Sequence, residues 1–255
     1  MNTPWLRAIS NKGTNPKFRL FCFPHAGGGA SIFKKWIEFL PDNIELYALQ
    51  LPGREDRIHE TPVSDLNLIL RKVTAEILKL VNIPYALLGH SLGGIIAFEL
   101  AKLINKLRYR LPDHLFIVSR ESPECKINNI NKDSSNEEII KYIERQKWTS
   151  DNLLHDTNAI SIFLPIIKSD LLIDSEYTAF YKRNIPLDCP ISVFLGKDEY
   201  DLDLNAIKDW AFETTKHFNI KYFNGNHFFL HNNIIDVLTA IYKSVFTTND
   251  TPFKS

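Results

Sequence analysis

Residues 84–107, PYALLGHSLGGIIAFELAKLINKL, restrict this chain more than any other stretch. A short apolar run, Pro84–Leu88, meets a Gly-x-Ser-x-Gly turn at Gly89–Gly93, and Leu92–Leu107 continues as a helix pattern that is apolar on most of its faces. A helix so apolar has to pack against a sheet, because a surface helix keeps a polar side. A strand without polar alternation is buried on both faces, as the strands of parallel sheets are. The rest of the chain repeats the alternation. Strand-like runs are Phe18–Phe23, Ile44–Leu49, His114–Ser119, Ile191–Leu195 and Ile220–Phe223. Between them a helix opens near Ser64 or Asp65 and sets Leu66, Ile69, Leu70, Val73, Ile77 and Leu80 on one face, and two more helices are expected over Asp203–His217 and Phe229–Tyr242. The class expected is α/β, a mostly parallel central sheet flanked by helices.

One connection is out of proportion. From Ser119 to Pro190 there is no convincing strand, whereas crossovers are usually short. Ser135 and Glu138 make a Ser-x-x-Glu capping box that opens a helix carrying Ile139, Ile140 and Ile143; Leu164–Tyr181 is again helical, with Pro165 expected to cut it. A helical excursion between two core strands reads as a lid, about residues 120–185, within a single domain spanning 1–255.

The chemistry sits in the turns. A composition like this predicts about 0.02 Gly-x-Ser-x-Gly sequences by chance, and here the motif also lies between a strand and a helix, the context of a nucleophile elbow. Ser91 is the expected nucleophile, with the N-terminus of the following helix behind it to meet an oxyanion. A serine needs a base, and the chain order Ser, acid, His places it late: His227, in Gly225-Asn226-His227 after the last strand. His231 reads as structural or surface, His90 as turned away from the serine, and His59, His114, His155 and His217 as solvated or packed. The acid should follow ISVFLG, where Lys197-Asp198-Glu199-Tyr200-Asp201 offers three carboxylates; position favours Glu199, residue type Asp198, and Asp201 comes third. The glycine run Phe23–Ala30 (FPHAGGGA) follows the first expected strand and supplies a second oxyanion donor, the Ala26 amide, beside that of Leu92. It has neither the Gly-Lys-Ser/Thr ending of a P-loop nor Gly-x-Gly-x-x-Gly spacing.

Composition excludes several alternatives. Thirty Lys and Arg balance thirty Asp and Glu, so nucleic acid and anionic membrane are not expected partners. The three cysteines are too few and scattered for a disulfide framework, MNTPWLRAIS lacks the pattern of a secretory signal, and no apolar stretch approaches a membrane span. A soluble cytoplasmic protein is expected, and a monomer.

With these residues in place the chain resembles the type II (editing) thioesterases of nonribosomal peptide and polyketide assembly lines, α/β-hydrolases related to the medium-chain thioesterases of fatty-acid synthase. The resemblance rests on FCFPHAGGGA at Phe21–Ala30, LPGREDR at Leu51–Arg57, GHSLGG at Gly89–Gly94 and GNHFFL at Gly225–Leu230, with Trp5-Leu6-Arg7, Ser169-Asp170-Leu171 and Tyr177 in the family's order. It implies an α/β-hydrolase fold with a helical lid, and hydrolysis of acyl groups from the phosphopantetheine thiol of an acyl or peptidyl carrier protein. It implies no metal and no organic cofactor. Carried over by position, Ser91 is the nucleophile and His227 the base. The family's acid stands at the third place after the glycine, here Glu199, unless a one-residue deletion brings in Asp198. Ser119–Pro123 (SRESP) departs from the family's Gly-Arg run. Arg54, Glu55 and Arg57 are expected to form structural ion pairs, and Trp36, Trp148 and Trp210 to anchor packing. The alternatives on the same fold are a medium-chain fatty acyl thioesterase and a general carboxylesterase.

Overall fold

The apolar runs pair into one seven-stranded sheet in a computed structural model that describes residues 3–10, 15–125, 128–146, 157–180, 185–199 and 202–246. The strands are β1 (Leu6–Ser10), β2 (Phe18–Phe23), β3 (Ile44–Leu49), β4 (Tyr85–His90), β5 (His114–Val118), β6 (Ile191–Gly196) and β7 (Phe218–Phe223), in the order β1-β3-β2-β4-β5-β6-β7. All neighbours are parallel except β1, which runs antiparallel to β3 with Leu6 opposite Leu49. β2 to β6 are buried at every position, the reason each reads as an unbroken apolar run. β1 was not expected: an edge strand pairs on one side only, and a single Leu6 suffices to anchor it.

Helices α1 (Leu66–Ile77) and α2 (Leu92–Lys106) cover one face, where Ile69, Val73 and Ile77 pack with Ile96, Leu100 and Ile104. Asp65 caps α1, its carboxylate accepting from the Leu68 amide at 3.1 Å. The other face is covered by a 3-10 helix at Ala30–Glu38, bringing Phe33 and Trp36, and by α6 (Phe229–Asn232) and α7 (Ile234–Val245). Two expected single helices are broken. Asn233 ends α6 because its side-chain amide donates to Asn224 O (2.7 Å) and Phe229 O (3.0 Å), competing with the helix for its carbonyls. Over 203–217 only α5 (Leu204–Lys208) is α-helical. Asp209–Glu213 tightens to 3-10, then Thr214 bridges to Leu187 as extended chain.

Between β5 and β6 lie α3 (Asn136–Gln146) and α4 (Thr157–Phe180). The capping box forms: the Ser135 amide donates to Glu138 (2.8 Å) and the Glu138 amide to Ser135 Oγ (3.3 Å). Ile139 and Ile143 pack with Leu164 and Leu171 of α4 in a cluster of their own, apart from the two core layers. Pro165 does not cut α4. It lies on the exposed side of the helix, where its ring meets solvent rather than the packed face. Trp36 and Trp210 are fully buried anchors, Trp210 donating its indole N–H to Arg120 O at 3.0 Å. Trp148, His155 and Asp201 lie outside the described residues. No helix among the described residues is long and apolar enough to cross a membrane.

Candidate active site

Every expected site residue among the described ones lies at or just beyond the carboxyl end of a strand, where parallel sheets hold their ligands. Ser91 joins β4 to α2 with φ 54° and ψ −116°, a left-handed conformation that a non-glycine residue adopts only when its surroundings impose it. The surroundings are visible. The Ser91 amide donates to Val118 O and the Gly94 amide to Ser91 O, both at 2.8 Å. A Cβ at Gly89 would land on the Gly93 carbonyl and one at Gly93 on the Phe23 carbonyl, so both flanking positions admit glycine alone. Ser91 is 4% exposed.

His227 sits in the loop between β7 and α6, and its Nδ1 meets Glu199 Oε1 at 2.8 Å. The other oxygen of Glu199 accepts from the Gly196 amide (2.7 Å) and from Ser119 Oγ (2.8 Å). With Nδ1–H given to a carboxylate, the neutral imidazole carries its lone pair on Nε2, the atom a general base uses. Asp198 is exposed, with its amide on Gly225 O (3.0 Å). Of the two it is Glu199 that meets the imidazole. Ser119 was no candidate. It holds φ 51° at the end of β5 and aims its hydroxyl at Glu199; its position after a central strand was the available signal.

His90 is not idle: its Nε2 bonds His227 O at 2.9 Å, tying the elbow to the loop that carries the imidazole. Burial drives its basicity well below the usual histidine range. The Ala26 peptide is held from both sides. His25 Nδ1 donates to Ala26 O (2.9 Å), and the next amide, Gly27 N, donates to Asp170 Oδ2 (2.7 Å).

Asp170 belongs to α4 and is fully buried. Arg54 reaches it from the loop after β3 with a two-pronged contact, Nη1 to Oδ2 at 2.7 Å and Nη2 to Oδ1 at 2.8 Å, and also donates to Gly28 O (3.1 Å). One turn on, Asp174 pairs with buried Arg120 of the loop after β5 (2.7 Å) and accepts from Asn128 (3.0 Å). Burial raises the Asp174 pKa, with Arg120 opposing. Two acids four residues apart thus fasten one face of α4 onto the loops of the site. The rest of LPGREDR is structural as well: Glu55 accepts from the Ser31 amide (3.0 Å), and Arg57 pairs with Glu60 (2.6 Å) and caps Gln50 O (2.9 Å).

A thioesterase-domain family model matches residues 18–245. The gramicidin S biosynthesis protein GrsT of Aneurinibacillus migulanus is 36% identical over 238 residues, 92% of each chain. The medium-chain S-acyl fatty acid synthase thioesterase of Homo sapiens is 31% identical over 86% of this chain and 83% of its own. Among solved structures, the type II thioesterase BorB from the borrelidin biosynthetic cluster superposes with a TM-score of 0.85 at 26% identity, covering 96% of this chain and 99% of BorB. An elbow serine, a histidine bonded to a carboxylate and a sheet of this order are what such enzymes are built from, and the chain belongs to the thioesterase family of α/β-hydrolases, with the type II thioesterases of nonribosomal peptide and polyketide biosynthesis.

Proposed function

We propose that this chain hydrolyses acyl groups from the phosphopantetheine thiol of carrier proteins by a Ser91–His227–Glu199 triad, clearing or releasing acyl units on a biosynthetic assembly line. The observations that carry the reading are the 2.8 Å bond from His227 to Glu199 and an elbow serine held at positive φ. Ser91 Oγ attacks the thioester carbonyl while His227 takes its proton. The Ala26 and Leu92 amides hold the oxyanion, the thiolate leaves, and a water activated by His227 cleaves the acyl-enzyme. Asp198, exposed, is a solvated loop charge in this scheme. No metal or organic cofactor takes part.

The segment of about residues 120–185 acts as the lid, with α4 forming the wall over the glycine loop: a Cβ at Gly27 would meet Ile167 Cγ1 at 3.3 Å. The carrier protein docks beside it. A cytoplasmic setting, where thiols stay reduced, suits the free Cys22, Cys125 and Cys189. The test is single-turnover hydrolysis of one short acyl group on a carrier protein and on free pantetheine. Faster release from the carrier is expected. Equal slow rates on both, with brisk oxyester cleavage, would move the chain to the carboxylesterases. Similarity to the human medium-chain enzyme favours a second reading, a fatty acyl thioesterase, which a steep preference for eight- to twelve-carbon chains, about tenfold or more, would select.

A further inference from the structure

Three histidines outside the triad converge beside it. His25 comes from the loop after β2, His90 ends β4 and His231 lies on α6, and one ligating atom of each lies within 4.8 Å of the other two. The His25 ring is 5.1 Å from that of His90, and the His231 ring is 6.2 Å from both.

Backbone carbonyls set two of the tautomers. A carbonyl only accepts, so the hydrogens sit on His25 Nδ1, bonded to Ala26 O, and on His90 Nε2, bonded to His227 O. The lone pairs are therefore on His25 Nε2 and His90 Nδ1. His90 is fully buried and its Nδ1 has no hydrogen-bond partner among the described residues, a costly arrangement for a histidine that merely packs. Ring N–H groups held by carbonyls, leaving the opposite nitrogens free to bind, are the usual outer support of metal-ligating imidazoles.

We propose that His25, His90 and His231 form a three-nitrogen site for a divalent transition-metal ion, Zn2+ by preference, with solvent in the fourth position. Imidazole donors suit zinc, copper and nickel rather than magnesium or calcium. Tetrahedral zinc needs its nitrogens about 3.4 Å apart, so the longest edge closes by no more than about 1.4 Å on binding. His231, partly exposed on a four-residue helix, is the ligand placed to swing in. Lys35, whose charge reaches His231, opposes the ion and moderates its affinity. Because the His90 ring is 5.0 Å from that of His227, a bound dication disfavours the His227 imidazolium. Zinc therefore lowers kcat with little change in KM, a consequence that rests on His227 being the base.

The experiment is Zn2+ titration of the metal-free protein against a chromophoric chelator, with Co2+ as spectroscopic probe, on wild type and His231→Gln. One zinc per chain, an intense four-coordinate Co2+ spectrum, and at least about tenfold weaker binding in the variant are expected. The metal-free variant should keep wild-type turnover and escape zinc inhibition. Equal binding by both proteins, or a weak six-coordinate Co2+ spectrum, overturns the site whatever the hydrolytic activity is. Equal inhibition of both by zinc overturns the link to His227. If the variant does not fold, the wild-type Co2+ spectrum decides alone.

Discussion

Replacing Asp170 by alanine tests whether α4 is fastened to the site by charge. In the native protein its carboxylate accepts from Arg54 twice and from the Gly27 amide, all at 2.7–2.8 Å. Arg54 is 3% exposed, so the variant leaves a guanidinium buried without its counter-charge, and the Gly27 amide without its acceptor. Breaking a buried pair from one side costs about 3–5 kcal/mol, a large part of the roughly 5–15 kcal/mol that holds a domain folded. The double variant Arg54→Met/Asp170→Leu removes both charges and fills the space with apolar groups. It should recover most of that loss, because such replacements are often neutral. Activity should separate from stability: in both proteins the glycine loop loses its tie one residue from the Ala26 oxyanion donor, and kcat should fall about 10–100-fold. Urea unfolding supplies the stabilities and hydrolysis of an acyl-pantetheine thioester the rates. A single variant within about 1 kcal/mol of wild type, or a double variant as unstable as the single, would refute the reasoning.

Other consequences are simpler to check. Ser91→Ala should fold normally and lose at least about 1,000-fold in kcat, and normal turnover on acyl-pantetheine would sink the mechanism. Glu199→Gln keeps the shape but no longer enforces the Nδ1–H tautomer of His227, so kcat should fall about 100–10,000-fold, while Asp198→Asn should be near neutral; the reverse ranking in steady-state kinetics would reassign the acid. Burial holds His114 at a pKa of about 4, with His217 adding slightly, against about 6.5 in the unfolded chain. Protons therefore bind the unfolded state first, and stability should fall by about 3 kcal/mol from this residue as the pH drops from 6.5 to 4. His25, His90 and His231 act in the same direction. Urea midpoints measured across that range should lose much of their slope in His114→Gln, which keeps a donor for Ser192.

Local sequence was enough for six of the seven strands and for the elbow. β2 and β3 match the expected Phe18–Phe23 and Ile44–Leu49 residue for residue, and α1 starts one residue after Asp65, because burial on both faces and a side-chain cap are written into neighbouring residues. The Gly89 and Gly93 requirement is equally local, since the clash a side chain would make falls within the turn and on the strand beside it. What sequence left open depended on distance along the chain. Among three carboxylates in five positions after β6, position and residue type pointed to different acids; the backbone path through Gly196 brings Glu199, 28 residues from His227, onto its ring. Ser119 reaches Glu199 across 80 residues, and Arg54 reaches Asp170 across 116. The second histidine cluster, drawn from three separate elements, is no motif at all in one dimension. Hydrophobic periodicity and turn chemistry act between residues a few places apart, so a sequence displays them. A charge finds its partner only when the sheet has assembled and the carboxyl ends of its strands stand side by side.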